Sequence, residues 1–256
     1  MSTVGEIYQY IDGFAPFSSA MDFDNAGLLA GDAGTKVRAA LLSLDITPGV
    51  VREAARGQAQ LIVSHHPVIF RPLKTLRPNT APYLLAQCGV AAICAHTNLD
   101  MARGGVNDCL AARLALRNPV PVALDGPSGL RAAIAGESDR EYGPREFAAF
   151  VKAALGCDGL FFASGGRKIT RVGVCGGGGS EYLYDAAARG CQAFVTGEAK
   201  HHELIDAKNM GVTLVVAGHY FTEDVVIEPL RERLQKAFPD VAFRKAEAFS
   251  CPAEYL

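Results

Sequence analysis

The chain is short of three things: net charge, paired cysteines and long apolar runs. Its 25 basic and 27 acidic residues leave a formal charge of −2. A protein that binds DNA or RNA through its backbone charge is expected to be basic, so nucleic acid is not an expected partner. A single nucleotide held in one small pocket is still compatible with this balance. The seven cysteines are odd in number, irregularly spaced and without a Cys-x-x-Cys pair. That usage fits reduced thiols better than a disulfide framework. No apolar stretch approaches the ~20 residues a bilayer-spanning helix needs. The start, MSTVGEIYQYIDGFAPF, lacks the basic segment and apolar core of a secretory signal. A cytoplasmic protein with no membrane partner is expected.

Histidine is scarce as well, and its placement is informative. All six fall in four stretches, LIVSHHP (His65, His66), AICAHTNLD (His96), TGEAKHHE (His201, His202) and VVAGHYFTE (His219). Each stretch follows an apolar run that reads as a β-strand. Imidazole is the commonest metal ligand and the side chain that titrates nearest neutrality. The carboxylates of Asp100 and Glu223 close by point to metal rather than proton transfer alone.

Strand-like and helix-like runs alternate along the chain. Residues 37–44 read as strand, 47–56 as a helix opened by Thr47 and Pro48, 61–63 as strand, 82–88 as helix, 90–94 as strand and 105–116 as helix. The pattern resumes with strands at 171–175, 193–196 and 213–217, helices at 181–189 and 204–209, and a further helix over about 223–237. Single helices between strands of this kind predict βαβ units. The expectation is an α/β fold of two facing, related lobes with mostly parallel sheets and a metal site in the cleft between them. Lobe 1 would take about 1–117 plus the C-terminal tail, a junction about 118–168, and lobe 2 about 169–240, with 1–256 forming a single unit. A weak internal similarity supports relatedness: Arg-Gly at 56–57 and at 189–190 each precedes a strand that ends at a histidine or carboxylate stretch.

Ligands in open α/β sheets bind beyond the carboxyl ends of the strands, where all four stretches would project. Neighbouring side chains in an extended segment point opposite ways. His65 and His66 would therefore serve two metals, or one metal and a partner; the plainer alternative is one ligand and one structural histidine. His219 and Glu223, four apart at a helix start, share a face, although Glu223 could serve only the helix dipole. Asp100 in a turn becomes a ligand candidate through this company. His65, His66, Asp100, His219 and Glu223 make three nitrogens and two carboxylates, suited to Zn²⁺, Mn²⁺, Fe²⁺, Co²⁺ or Ni²⁺. Five ligands exceed the need of one open zinc, so two divalent ions per chain are expected, with Glu223 the candidate bridge. His96, Glu198 and His202 are candidates for catalysis or for orienting ligands, as is His201; Glu198 and His202 are again four apart. The CGGGGSE run at 175–181 offers backbone amides to an anion, or is simply a flexible turn.

Taken together, the stretches FDNAGLLAGD, SHHPVIF, AHTNLD with GGVND, VCGGGGSE, TGEAKHHE and GHYFTE resemble the GTP cyclohydrolase 1 type 2 homologues, also called Nif-three-like dinuclear metal proteins. The resemblance runs nearly end to end. It implies two facing α/β lobes, a two-metal centre on His65, His66, Asp100, His219 and Glu223, and a ring-shaped homohexamer. The chain departs from the pattern at Phe23, where many relatives have tryptophan, and it is too short for the domain that some members insert between the lobes. The first functional expectation is a dinuclear metal-dependent hydrolase of a small nucleotide-like or phosphorylated compound, GTP included, in which the metals activate water and His96 or His202 moves protons. A non-enzymatic metal carrier or regulator, and a hexameric adaptor stapled by metals, are the alternatives.

Overall fold

In the computed structural model, which describes residues 1–125 and 130–256, two compact units each surround one sheet. Pro127, one of the turn residues of the expected junction, lies outside the described residues. The elements run α1 (Val4–Phe14), β1 (Gly27–Ala30), β2 (Ala39–Ser43), α2 (Pro48–Arg56), β3 (Leu61–Ser64), α3 (Ala81–Cys88), β4 (Ala91–Cys94) and α4 (Thr97–Met101). Next come α5 (Val106–Arg113), β5 (Arg117–Asp125), β6 (Leu130–Tyr142), α6 (Pro144–Leu155), β7 (Phe161–Ala163) and β8 (Ile169–Val174). The chain ends with α7 (Leu183–Ala188), β9 (Ala193–Thr196), α8 (His201–Met210), β10 (Thr213–Val216), α9 (His219–Glu223), α10 (Ile227–Ala237) and β11 (Ala242–Lys245). No helix among the described residues is long and apolar enough to cross a membrane.

The first unit comprises Met1–Leu99 and Ile227–Ser250. Its sheet has the order β1-β4-β3-β2-β11; all pairings are parallel except β1 with β4. β3 and β4 are buried at every position, as expected of strands covered on both faces. Thr47 caps α2 by accepting from the Val50 amide, with Pro48 in the first turn. The apolar face of α2 (Val50, Val51, Ala54) packs with Leu84 and Leu85 of α3 over Leu41 and Ile62.

The second unit comprises Asp100–Val226 and Cys251–Leu256, with a sheet of order β5-β6-β8-β9-β10-β7. Here only β8, β9 and β10 run parallel; β5, β6 and β7 pair antiparallel. The segment 118–168, expected to be a junction with a β-like run at 130–135, a helix at 144–155 and an apolar run at 159–163, supplies β5, β6, β7 and α6 to this unit. Tyr142, Phe147 and Val151 from that segment are buried against Val172, Val195 and Val215, so it is core rather than connection. Likewise α10 and β11 join the first unit. The helix expected over 223–237 is broken, because Pro229 lacks an amide hydrogen and its ring would clash with the carbonyl four residues back. Arg56-Gly57 and Arg189-Gly190 each end the helix of a parallel βαβ unit, β2-α2-β3 in one case and β8-α7-β9 in the other.

Candidate metal centre

In the first unit Ser43, Ser64 and Cys94 are in register at the carboxyl ends of β2, β3 and β4. The residues that follow each strand, Asp45, His65 with His66, and His96, therefore emerge along one sheet edge. His65 Nδ1 lies 2.9 Å from the Ala95 carbonyl oxygen, His66 Nδ1 3.0 Å from Asp45 Oδ1 and His96 Nδ1 2.7 Å from Asp24 Oδ1. An oxygen acceptor at each Nδ1 fixes the proton there and puts the lone pair on Nε2. The three rings stand 5.1, 5.2 and 5.6 Å apart, with one ligand-capable nitrogen of each within 4.8 Å of the others. His65 and His66 thus do not point opposite ways. The chain bends as it leaves β3, with the His66 amide donating to the Leu44 carbonyl and the Ser64 hydroxyl to the His66 carbonyl, and both rings turn to the same place.

Asp24 is the orienting group of this cluster. Its side chain is fully buried, and its second oxygen accepts from the Thr97 amide at 3.1 Å and hydroxyl at 2.6 Å. Burial works against its charge, but the hydrogen bonds from His96 and Thr97 outweigh that and bring it down to about 2.

In the second unit β8, β9 and β10 likewise end together, releasing the glycine run, Glu198 and His219. On the short α9, His219 Nε2 lies 2.9 Å from Glu223 Oε2, the i, i+4 neighbours on one face. His219 Nδ1 lies 2.7 Å from Glu198 Oε1. Burial alone would lower the His219 pKa, but the Glu223 and Glu198 carboxylates raise it to about 9. The spot is thus a seat for positive charge. Glu198 meets His219 rather than His202, because residues 197–200 are not helical and α8 starts only at His201. His201 and His202 are exposed on that first turn, and neither shares a hydrogen bond or ion pair with His219, Glu198 or Glu223 among the described residues. Asp100 sits on α4 near Cys175: burial first, then the charges of Asp100, Glu181 and Glu223, drive the Cys175 thiol well up. A protonated thiol that donates to the Ala132 carbonyl is a structural group, not a thiolate ligand.

The glycine run is a cradle for the Glu223 and His219 side chains. Gly177 has φ +58°, and a Cβ there would collide with Glu223 Oε1 and approach His219 Nε2 to 3.2 Å. A Cβ at Gly197 would reach the His219 Cα at 2.8 Å. Two of the amides considered for an anion are already used: Gly176 donates to Asn107 Oδ1 at 3.0 Å and Gly177 to Thr222 Oγ1 at 3.1 Å. These glycines leave room for Glu223 and His219. Imidazoles and carboxylates without thiolate fit zinc, manganese, iron, cobalt or nickel.

The sequence reading did not assign roles to Asp24, Asp45 or Asn107. Asp24 and Asn107 lie within the FDNAG and GGVND runs, but nothing local to a lone carboxylate or amide shows which distant group it will hold. Asp45 had a signal, since it too follows directly on a buried strand.

A sequence model of the Duf34/NIF3 (NGG1p interacting factor 3) family matches residues 2–252. The chain is 30% identical over 268 residues to a Clostridium perfringens protein named GTP cyclohydrolase 1 type 2 homolog, with 99% of each covered. It is 28% identical to a Streptococcus pneumoniae protein of the same name, over 90% of this chain and 89% of that one. Among solved structures, a Staphylococcus aureus hypothetical protein superposes with a TM-score of 0.93 at 29% identity over 99% of both chains. A Bacillus cereus protein related to NIF3 gives 0.92 at 23% identity, also over 99% of both, a likeness of fold.

Proposed function

The chain belongs to the Duf34/NIF3 family, and on that premise we propose that it is a metal-dependent hydrolase whose His65, His66, Asp100, His219 and Glu223 hold two divalent ions. The observation that carries this reading is the histidine cluster, in which three imidazoles each set Nδ1 against an oxygen and bring one ligand-capable nitrogen within 4.8 Å of the others. A pair of bound divalent ions supplies water activation and charge stabilisation for an in-line displacement. The remaining roles fall to this chain's residues. Asp24 holds His96 in one tautomer and stabilises its imidazolium, which makes His96 the proton carrier. Glu198 orients His219 as an outer carboxylate orients a ligating histidine. The glycine cradle keeps the Glu223 carboxylate buried and in place. Among the described residues no carboxylate holds His202 as Asp24 holds His96, so His96 is preferred to it for proton transfer. The substrate class is a small phosphorylated or nucleotide-like compound, consistent with the name its relatives carry. Assembly as a homohexamer in the cytoplasm completes the reading, and a solution mass of six chains is the result expected of that assembly.

The test is elemental analysis and turnover on the same samples. The wild type should carry about two divalent ions per chain by the two-metal logic and turn over a nucleotide or phosphoester when reconstituted. Glu223→Ala should lose most of the metal while remaining folded, and His65→Ala should be inactive. Unchanged metal in Glu223→Ala would overturn the ligand assignment. Full metal with no turnover across a phosphoester and nucleotide panel would favour a metal carrier or regulator instead.

A further inference from the structure

Two large aromatic side chains stand in solvent beside the histidine cluster. Phe23 is 63% and Phe70 44% exposed. Their rings meet edge to face at 6.4 Å, and Phe70 stands 6.3 Å from the His96 ring at 82°. Leaving this much phenyl surface wet forgoes a favourable burial, and neither ring contributes to the core of its unit. The placement is held from both sides. Asp24, next to Phe23, grips His96; Asn25, one residue on, donates through its side-chain amide to the Ile69 carbonyl and fixes the residue before Phe70. Three consecutive residues thus set the imidazole, the loop and one ring. The loop that follows Phe70 is exposed from 70 to 80. It carries Arg71, Lys74 and Arg77, and residues 67–80 include no carboxylate.

We propose that Phe23 and Phe70 form a subsite for a planar heteroaromatic ring and that Arg71, Lys74 and Arg77 take the anionic group attached to it. Aromatic faces accept any nucleobase by stacking, and guanidinium and ammonium groups are suited to phosphate. The edge-to-face geometry of Phe70 on His96 brings a ring stacked there beside the proposed proton carrier. The substrate of the metal centre is then a nucleotide-like compound rather than a simple sugar phosphate or inorganic phosphoester. This assignment rests on the hydrolase reading and narrows its substrate class.

The test compares two probes that share a phosphate and differ in the ring, GMP and ribose 5-phosphate, by calorimetric titration of zinc-loaded protein, with CMP as a second base. GMP or CMP should bind at least about tenfold more tightly than ribose 5-phosphate. Phe70→Ala and Phe23→Ala should each cut that preference by about fivefold to a hundredfold, the range of one base–aromatic stack. Phe70→Trp should retain it. Arg71→Ala with Lys74→Ala should weaken all probes alike, and metal content should not change in any variant. The inference fails if neither nucleotide outbinds ribose 5-phosphate, or if the preference survives both alanine variants. It fails equally if those variants alter the solution mass and leave probe binding unchanged, because the rings would then serve contact with a second copy. A wild type that retains no zinc would sink the metal-centre reading separately, and the ring preference would still be scored by binding.

Discussion

Asp24 Oδ1 lies 2.7 Å from His96 Nδ1, a contact between residues 72 positions apart. It joins the loop before an antiparallel edge strand to the end of a parallel one. The register makes this pairing local in space: Gly27 opens β1 opposite Cys94, the last residue of β4. Antiparallel addition of β1 therefore delivers the residues that precede it to the edge where His96 emerges.

The Asp24–His96 contact predicts the behaviour of Asp24→Asn. An asparagine placed there would keep its oxygen for Thr97 and turn its amide toward His96, donating to Nδ1. The imidazole proton would then move to Nε2 and remove the lone pair on which proton transfer depends. Turnover should fall by about a hundredfold or more, as expected for the loss of a positioned general base, with metal content unchanged. Parallel loss of metal would show instead that His96 is a ligand; full activity would exclude any role for the pair.

Gly177 predicts a contrast within one loop. Alanine at 177 would have to adopt φ +58° and place its methyl against Glu223 and His219. The backbone penalty alone is about 1–2 kcal/mol, and the displaced carboxylate should release metal. Gly178 has open space around it and no positive φ, so Gly178→Ala should leave both melting temperature and metal content near wild type. Equal metal content in the two variants would show that the cradle does not control the ligands.

Those two residues also show how far the sequence could be read. The strand-then-histidine pattern singled out Asp100, His65, His66, His219 and Glu223 as candidates because periodicity and a metal-ligating residue type coincide within a few positions. It misread the direction of His65 and His66, since a bend stabilised by the Ser64 hydroxyl is not visible in an apolar run. It paired Glu198 with His202 by spacing, whereas an extended stretch before α8 hands Glu198 to His219. The segment 118–168 was read as a connection because prolines and glycines signal turns. β5 and β6 pair with each other within it, but β6 also pairs with β8 and β7 with β10, and only the three-dimensional register reveals those partners. That the Gly176 and Gly177 amides are already used by Asn107 and Thr222 is likewise invisible in a run of identical glycines.

Asp108 supplies a prediction in pH. Its carboxylate is bracketed by Arg131, with contacts of 2.9 and 2.8 Å, and accepts from the Gly104 amide at 2.8 Å. Burial works against ionisation, but the Arg131 hydrogen bonds and the Gly104 amide outweigh it and hold the folded-state pKa below the ordinary 3.8. A carboxyl whose pKa is depressed by folding stabilises the native state at pH values above its unfolded pKa. That contribution is lost as pH falls through the lower, folded pKa. Asp108→Asn should therefore be destabilised by about 1–3 kcal/mol at pH 7, the worth of hydrogen bonds to a charged group. In urea titrations the gap between wild type and variant should hold from pH 7 to about 5, shrink below the ordinary carboxyl range and close as the wild-type carboxylate takes up its proton at the lower, folded pKa. The bond ties the first turn of α5 to β6, and Asn107 on the same turn receives the Gly176 amide. Loosening that turn should therefore also weaken metal retention by the glycine cradle at neutral pH, which elemental analysis after dialysis would detect. A pH-independent gap, or no gap at all, would remove Asp108 from the groups that position the centre.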